Sequence, residues 1–297
     1  MGHNRHHRLQ LADPESGPLG DLVDGERLGL SDDPAGWDRL GEHMSRDLSN
    51  RGIALSAGFL VAEAVDAIRN ELAAALPFVH IMTDRRSVYA RESIDASAHP
   101  AVAMPSDWIA GHVTRDMIPA HSAAHRLYVS PLFKRLVATA VGVDRVFEYS
   151  DPLAGLVATV LPPGGCYGWH YDTNEFVVTI PIECATMGGI FEFHRDLRRP
   201  GDENLAGLER SLAGKDMQNR QSVASAPGTL QIFLGRYSLH RVTAVEGCHQ
   251  RVSLVLSYAD RPGVIGPVDR TRRVYGRVTE THLLAAATQA GADGLIL

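Results

Sequence analysis

The chain has 297 residues, of which 44% are hydrophobic and 22% charged, a composition that builds a sizeable folded core. Its net charge of -6 provides no basic stripe for nucleic acid and no attraction to an anionic membrane surface. No apolar run approaches the roughly 20 residues of a membrane span. The three cysteines, Cys166, Cys184 and Cys248, are a poor disulfide framework, and the opening MGHNRHHRLQ lacks the apolar stretch of a secretory leader. A cytoplasmic protein with no nucleic-acid or membrane partner is therefore expected. A homodimer is left open.

In chain order, residues 1–34 are rich in Gly, Asp and Pro and are expected to form a loosely ordered arm; the histidines of its first ten residues read as part of a tail. Residues 35–297 are expected to form a single catalytic domain. Within it, 35–145 reads as mostly helical and loop support, 146–262 as the core, and 263–297 as a C-terminal helix. The first helix runs from Pro34 to Asn50, where Trp37, Leu40, Met44 and Leu48 make one apolar face and Gly52 stops it. A second runs from Gly58 to Leu76. A third runs from Pro131 to Val141, capped by Ser130 and ended by Gly142. The stretch 80–125 shows little periodicity and reads as a functional loop or lid; it holds Arg91, Trp108, His112 and Arg115, candidates to line a substrate pocket.

After residue 145 the texture turns to strands: Gly155–Leu161, Glu175–Ile182, Gly189–His194, Thr229–Leu234 and Arg251–Tyr258. They are short, β-branched and separated by Gly and Pro turns, which indicates an antiparallel sandwich or barrel. Thr279–Ala290 reads as a final helix.

The chemistry concentrates at Gly168-Trp169-His170-Tyr171-Asp172. In an extended chain alternate residues share a side, so His170 and Asp172 can reach one ion. An imidazole nitrogen and a carboxylate oxygen suit a divalent metal such as Fe(II). A second H-x-D, His194-Arg195-Asp196, lies at a strand end and is the weaker candidate. His240 follows the strand Thr229–Leu234, and eleven residues later Arg251 opens another strand, with Ser253 on its same face. An arginine there can pair the far carboxylate of a dicarboxylic co-substrate in bidentate fashion.

This combination, H-x-D (His170, Asp172), a distal His240 and R-x-S (Arg251, Ser253), resembles the Fe(II)/2-oxoglutarate-dependent dioxygenase superfamily over residues 150–262. The resemblance implies a mainly β fold with flanking helices, a double-stranded β-helix or cupin-like jelly-roll. It implies iron on His170, Asp172 and His240, and 2-oxoglutarate on Arg251 and Ser253, with Thr159 a further candidate. Oxygen is then the remaining co-substrate. A finer resemblance, in D-P-L-A-G-L-V-A-T-V-L, G-W-H-Y-D-T-N-E-F-V-V-T and F-E-F-H-R-D-L-R, is to a subgroup of amino-acid hydroxylases and halogenases. Halogenases place Gly or Ala where this chain has Asp172, so hydroxylation of a small polar substrate, a free amino acid or derivative, is the expected reaction. Trp169, Asn174 and Glu175 flank the metal pair and are candidate substrate contacts, with core or surface roles as the alternative. Desaturation, cyclisation or halogenase-like oxidation on the same scaffold stays open, as does a cupin-type metalloenzyme that ignores 2-oxoglutarate.

Overall fold

A computed structural model describes residues 19–89 and 99–290. Arg91 and the N-terminal histidines lie outside the described residues. The strands are β1 (Ile53–Ser56), β2 (Ile81–Arg86), β3 (Ser106–Val113), β4 (Phe147–Glu148) and β5 (Leu156–Leu161). They continue with β6 (Cys166–His170), β7 (Val177–Glu183), β8 (Met187–Gly188), β9 (Phe191–His194) and β10 (Arg220–Val223). The last are β11 (Leu230–Phe233), β12 (Leu239–Val242), β13 (Val245–Glu246), β14 (Arg251–Leu256) and β15 (Tyr258–Ala259).

Eleven of them join one sheet in the order β1-β11-β7-β14-β5-β3-β6-β12-β9-β10, with β2 added to β3. Every pairing in it is antiparallel. The sheet is strongly curled, because β3 pairs with β5 through Gly111–Val113 and with β6 through Trp108 and Ile109. The architecture is a double-stranded β-helix with helices on its outside, as expected.

Helices cover one face. Pro34–Arg51 begins with Pro at its first turn, where Asp33 accepts a hydrogen bond from the Ala35 N–H, and ends at Gly52 in the left-handed conformation. Pro131–Val141 is capped by Ser130 and ended by Gly142. Trp37, Met44, Phe59, Phe133 and Leu136 are buried between these helices and the sheet residues Ile180, Ile232 and Leu254. Each such side chain contributes roughly 1.5–3 kcal/mol by leaving water.

Four expectations are corrected. Residues 19–34 are not a loose arm: Leu19, Leu22, Val23 and Leu30 are buried in the main core, and Val23 bridges to Leu60. That bridge and the Leu60 N–H bond to Gly228 O occupy residues near 60, so the second helix spans only Ala62–Ala73. The 35–145 segment is more than support, since β1, β2 and β3 all join the main sheet. Beyond 263 the chain forms two helices, Val268–Tyr275 and Glu280–Ala290.

Candidate metal centre and adjoining cavity

His170 ends β6 and His240 lies on β12, and the antiparallel register sets the two directly opposite each other. Facing residues of such a pair project to the same side, and the two imidazole centroids are 4.0 Å apart. Asp172 follows β6 by two residues. Its backbone is held by an N–H bond to Gly235 O, 3.1 Å. A Cβ at Gly235 would collide with the Asp172 carboxylate, so glycine there is what lets the carboxylate lie against the chain. The result is three donor groups within 4.8 Å of one another.

The proton positions on the imidazoles follow from their partners. His170 Nδ1 is 2.8 Å from Gly168 O, and His240 Nδ1 is 2.9 Å from Ser238 O. A carbonyl oxygen only accepts, so Nδ1 carries the proton in each neutral ring and Nε2 presents a lone pair. Those lone pairs face the carboxylate: His170 Nε2 is 3.7 Å from Asp172 Oδ1, and His240 Nε2 is 3.4 Å from Oδ2. With no proton between them these approaches are not hydrogen bonds, and Asp172 Oδ2 is buried without a partner. Burial, reinforced by His240, drives the His170 imidazolium down to about 3. Burial would raise the Asp172 carboxyl, yet the attraction for positive charge on His240 and His170 outweighs it and brings it to about 2. The centre therefore keeps its carboxylate ionised beside a His170 ring held neutral. Two neutral imidazoles and one carboxylate on one side of an ion fit a divalent transition metal with open positions. Among the described residues this is the one such group.

A cavity of about 310 Å³ adjoins the centre. Its polar wall crosses three neighbouring strands, where Ser253 of β14 pairs with Thr159 of β5 and Thr159 pairs with His112 of β3. Arg251 lines it from the start of β14. Burial lowers the Arg251 guanidinium, and the side chain has no hydrogen-bond or carboxylate partner among the described residues. Ser253 Oγ is likewise buried without a partner. Unpaired buried polar groups are costly, so a wall of this kind calls for a polar ligand.

The cavity also brings together Trp108, His112 and Asn174, whereas three other candidates lie elsewhere. Trp169 faces away from the centre, packed with Val88, Leu208 and Leu239 under the Arg241 guanidinium. Glu175 is exposed and outside the wall. Arg115 is structural, donating to Tyr149 O at 2.7 Å with Glu148 3.7 Å away. In the second H-x-D, His194 stacks near Trp169 and Asp196 turns outward to Arg195, so the pair does not converge.

Sequence reasoning missed Tyr167, Arg86 and Arg270, all on the cavity wall. Tyr167 OH lies 2.7 Å from His112 Nε2, and burial pushes its phenol up to about 12. Its inward position depends on an irregular register: β12 advances two residues, from His240 to Val242, while β6 advances three, from His170 to Tyr167. This β-bulge lets residues three apart face the same cavity. The available signal was Gly168 inside the strand, where a Cβ would strike Ser106 and Asp107 O.

No family model matches this sequence, and no curated protein matches it. Solved structures do resemble it. An oxidoreductase of the 2OG-Fe(II) oxygenase family from Burkholderia pseudomallei is 18% identical, with 75% of this chain and 92% of that chain covered and a TM-score of 0.47. A prolyl-4-hydroxylase from Pseudomonas putida is 16% identical, over 74% of this chain and 99% of its own, with a TM-score of 0.46. SnoK, a non-haem alpha-ketoglutarate-dependent carbocyclase from nogalamycin biosynthesis, is 13% identical over 80% of this chain and 93% of that one, with a TM-score of 0.50. The chain thus shares the overall fold of SnoK, and inside that fold it brings two imidazoles and a carboxylate together beside a cavity lined by an arginine that has no carboxylate partner among the described residues.

Proposed function

We propose that this protein is an Fe(II)- and 2-oxoglutarate-dependent oxygenase that hydroxylates an unactivated C–H bond of a small polar substrate, a free amino acid or close derivative. The observation that carries the reading is the pairing of the His170–Asp172–His240 group with a half-buried Arg251 on the same cavity that has no hydrogen-bond or carboxylate partner among the described residues.

His170 and His240 would bind iron through Nε2, with each ring held by its Nδ1 bond to a main-chain carbonyl. Asp172 would complete the ligand set and, as the resemblance implies, leave no position for the chloride of a halogenase. Arg251 would pair the distal carboxylate of 2-oxoglutarate, with Ser253, Thr159 and Tyr167 donating hydroxyl hydrogen bonds beside it. Bound iron and 2-oxoglutarate supply the oxidising chemistry, reducing oxygen as the keto acid is decarboxylated to succinate. The chain's own task is to position the substrate's C–H bond and exclude water. A cavity of 310 Å³ lies at the low end of ligand sites, which favours a small substrate when a keto acid shares the space.

The test is an anaerobic titration with Fe(II) and 2-oxoglutarate, followed by a succinate-release screen over amino acids with product mass. A visible charge-transfer absorption on adding the keto acid is expected, and a mass gain of one oxygen marks hydroxylation. Loss of two hydrogens would replace hydroxylation by desaturation or cyclisation, and chlorinated product in the presence of chloride would restore the halogenase reading. Iron binding without any response to 2-oxoglutarate would point to a cupin-type metalloenzyme of another kind.

A further inference from the structure

The co-substrate reading leaves part of the cavity's charge unexplained. Arg86, at the end of β2, lies over the Trp108 ring at 3.8 Å, and that ring is 4.5 Å from His170. The Arg86 guanidinium is thus one aromatic ring away from the metal ligands. Its nearest carboxylate, Asp84, is 3.7 Å from Nε, and its side chain has no hydrogen bond among the described residues. Arg270, on the helix Val268–Tyr275, lines the same cavity and is near enough to Arg86 to lower its guanidinium. It donates to Thr173 Oγ1 at 3.1 Å and has no carboxylate partner among the described residues. Burial, with Arg273 and Arg270 nearby, lowers the Arg86 guanidinium despite the opposing pull of Asp84.

Four arginines line the cavity, Arg86, Arg251, Arg270 and Arg273, against two carboxylates. The carboxylates are Asp172 and Asp151. Asp151 is already satisfied by the N–H groups of Leu153, Ala154 and Gly266 and by His282. On the reading above, a ferrous ion, Asp172, the doubly anionic keto acid and Arg251 cancel one another. Arg86, with Asp84 3.7 Å away, and the exposed Arg270 then leave this end of the cavity, which Arg273 also lines, with more positive than negative charge.

We propose that the substrate enters with an anionic group, a carboxylate or a phosphate, held between Arg86 and Arg270. The guanidinium fork matches either group in bidentate geometry. The clamp favours negative charge on the substrate, because a neutral occupant gains no charge-assisted hydrogen bond from either guanidinium. The inference rests on the co-substrate reading for its charge balance and on the two arginines for its site.

The test is a thermal-melting titration of the full chain loaded anaerobically with Fe(II) and 2-oxoglutarate. The probes are the proteinogenic amino acids, their carboxamides, and O-phosphoserine, O-phosphothreonine and O-phosphotyrosine. An acid that raises the melting temperature is expected to bind about tenfold or more tightly than its amide. Selectivity for the phosphorylated members identifies phosphate as the anion; selectivity for the plain acids identifies carboxylate. Arg270→Gln, at an exposed position, should weaken the acid about tenfold or more, and Arg270→Lys should recover much of the loss. The stabilisation by Fe(II) and 2-oxoglutarate alone should be the same in both variants. Equal binding of acid and amide, undiminished acid binding by Arg270→Gln, or no acid in either group binding at all overturns the clamp. Failure of 2-oxoglutarate to stabilise the protein, alongside an acid effect that depends on Arg270, would overturn the co-substrate reading and leave the clamp standing.

Discussion

At the residue scale the site is specified by unpaired groups. Among the described residues Arg251 has no hydrogen-bond or carboxylate partner, and 2-oxoglutarate would supply one. Arg251→Ala is therefore expected to raise the KM for 2-oxoglutarate by about 30-fold or more, since removing one side of a buried charge pair costs roughly 2–5 kcal/mol. Steady-state succinate release at varied keto acid checks this, with Fe(II) affinity unchanged. His112 makes a different prediction. Burial first, then His80 and Arg270, lowers its imidazolium to about 4, while an unfolded chain titrates near 6.5. Below pH 6.5 the unfolded state takes up a proton that the folded state refuses. Stability is thus lost as the pH falls from 6.5 towards 4, by at most about 3 kcal/mol. His112→Gln should flatten that part of the melting-temperature profile, measured without metal. A slope unchanged by the substitution would refute the assignment.

At the scale of elements the bulge in β6 sets what faces the cavity. Gly168→Ala would push against Ser106 and the Asp107 carbonyl, separating β3 from β6. A loss of about 1–3 kcal/mol is expected, together with weaker Fe(II) binding because His170 follows two residues on; melting and metal titration read the two effects. The same element shows what a sequence can and cannot reveal. His170, Asp172, His240 and Arg251 were legible because each sits in a short motif whose spacing survives without tertiary information. Tyr167 was not, because strict alternation puts it on the face of Trp169, and only the extra residue turns it inward. Strands β2 and β3 escaped notice for a related reason. The inward side of β3 mixes cavity-lining Trp108 and His112 with the small core residue Ala110, so no strong hydrophobic period marks it. Arg270 sits on a helix read only as part of a C-terminal extension, and nothing local aims it at a cavity built some hundred residues earlier.

At the scale of the whole molecule, distant segments close around the sheet. The chain from Leu19 to Leu30 packs into the core, and the two C-terminal helices lie against the loop before β5 through His282 and Asp151, both buried and 3.1 Å apart. His282 Nδ1 accepts from the Thr279 N–H at 3.2 Å, so Nε2 donates to the carboxylate. His282→Ala should destabilise the fold by about 1–3 kcal/mol and speed proteolysis of the C-terminal helices, which limited digestion followed by mass spectrometry would show. Among the described residues no helix is long and apolar enough to cross a membrane. The imidazoles of the metal centre contrast with this long-range fastening. Each is oriented by a carbonyl two positions behind it in the chain, Gly168 for one and Ser238 for the other. Main-chain atoms survive every side-chain exchange, so these two hinges are out of reach of mutations in the surrounding wall. On the proposed function, substrate preference would then be open to redesign through Asn174, Arg270 or Arg86 without disturbing the orientation of the two imidazoles.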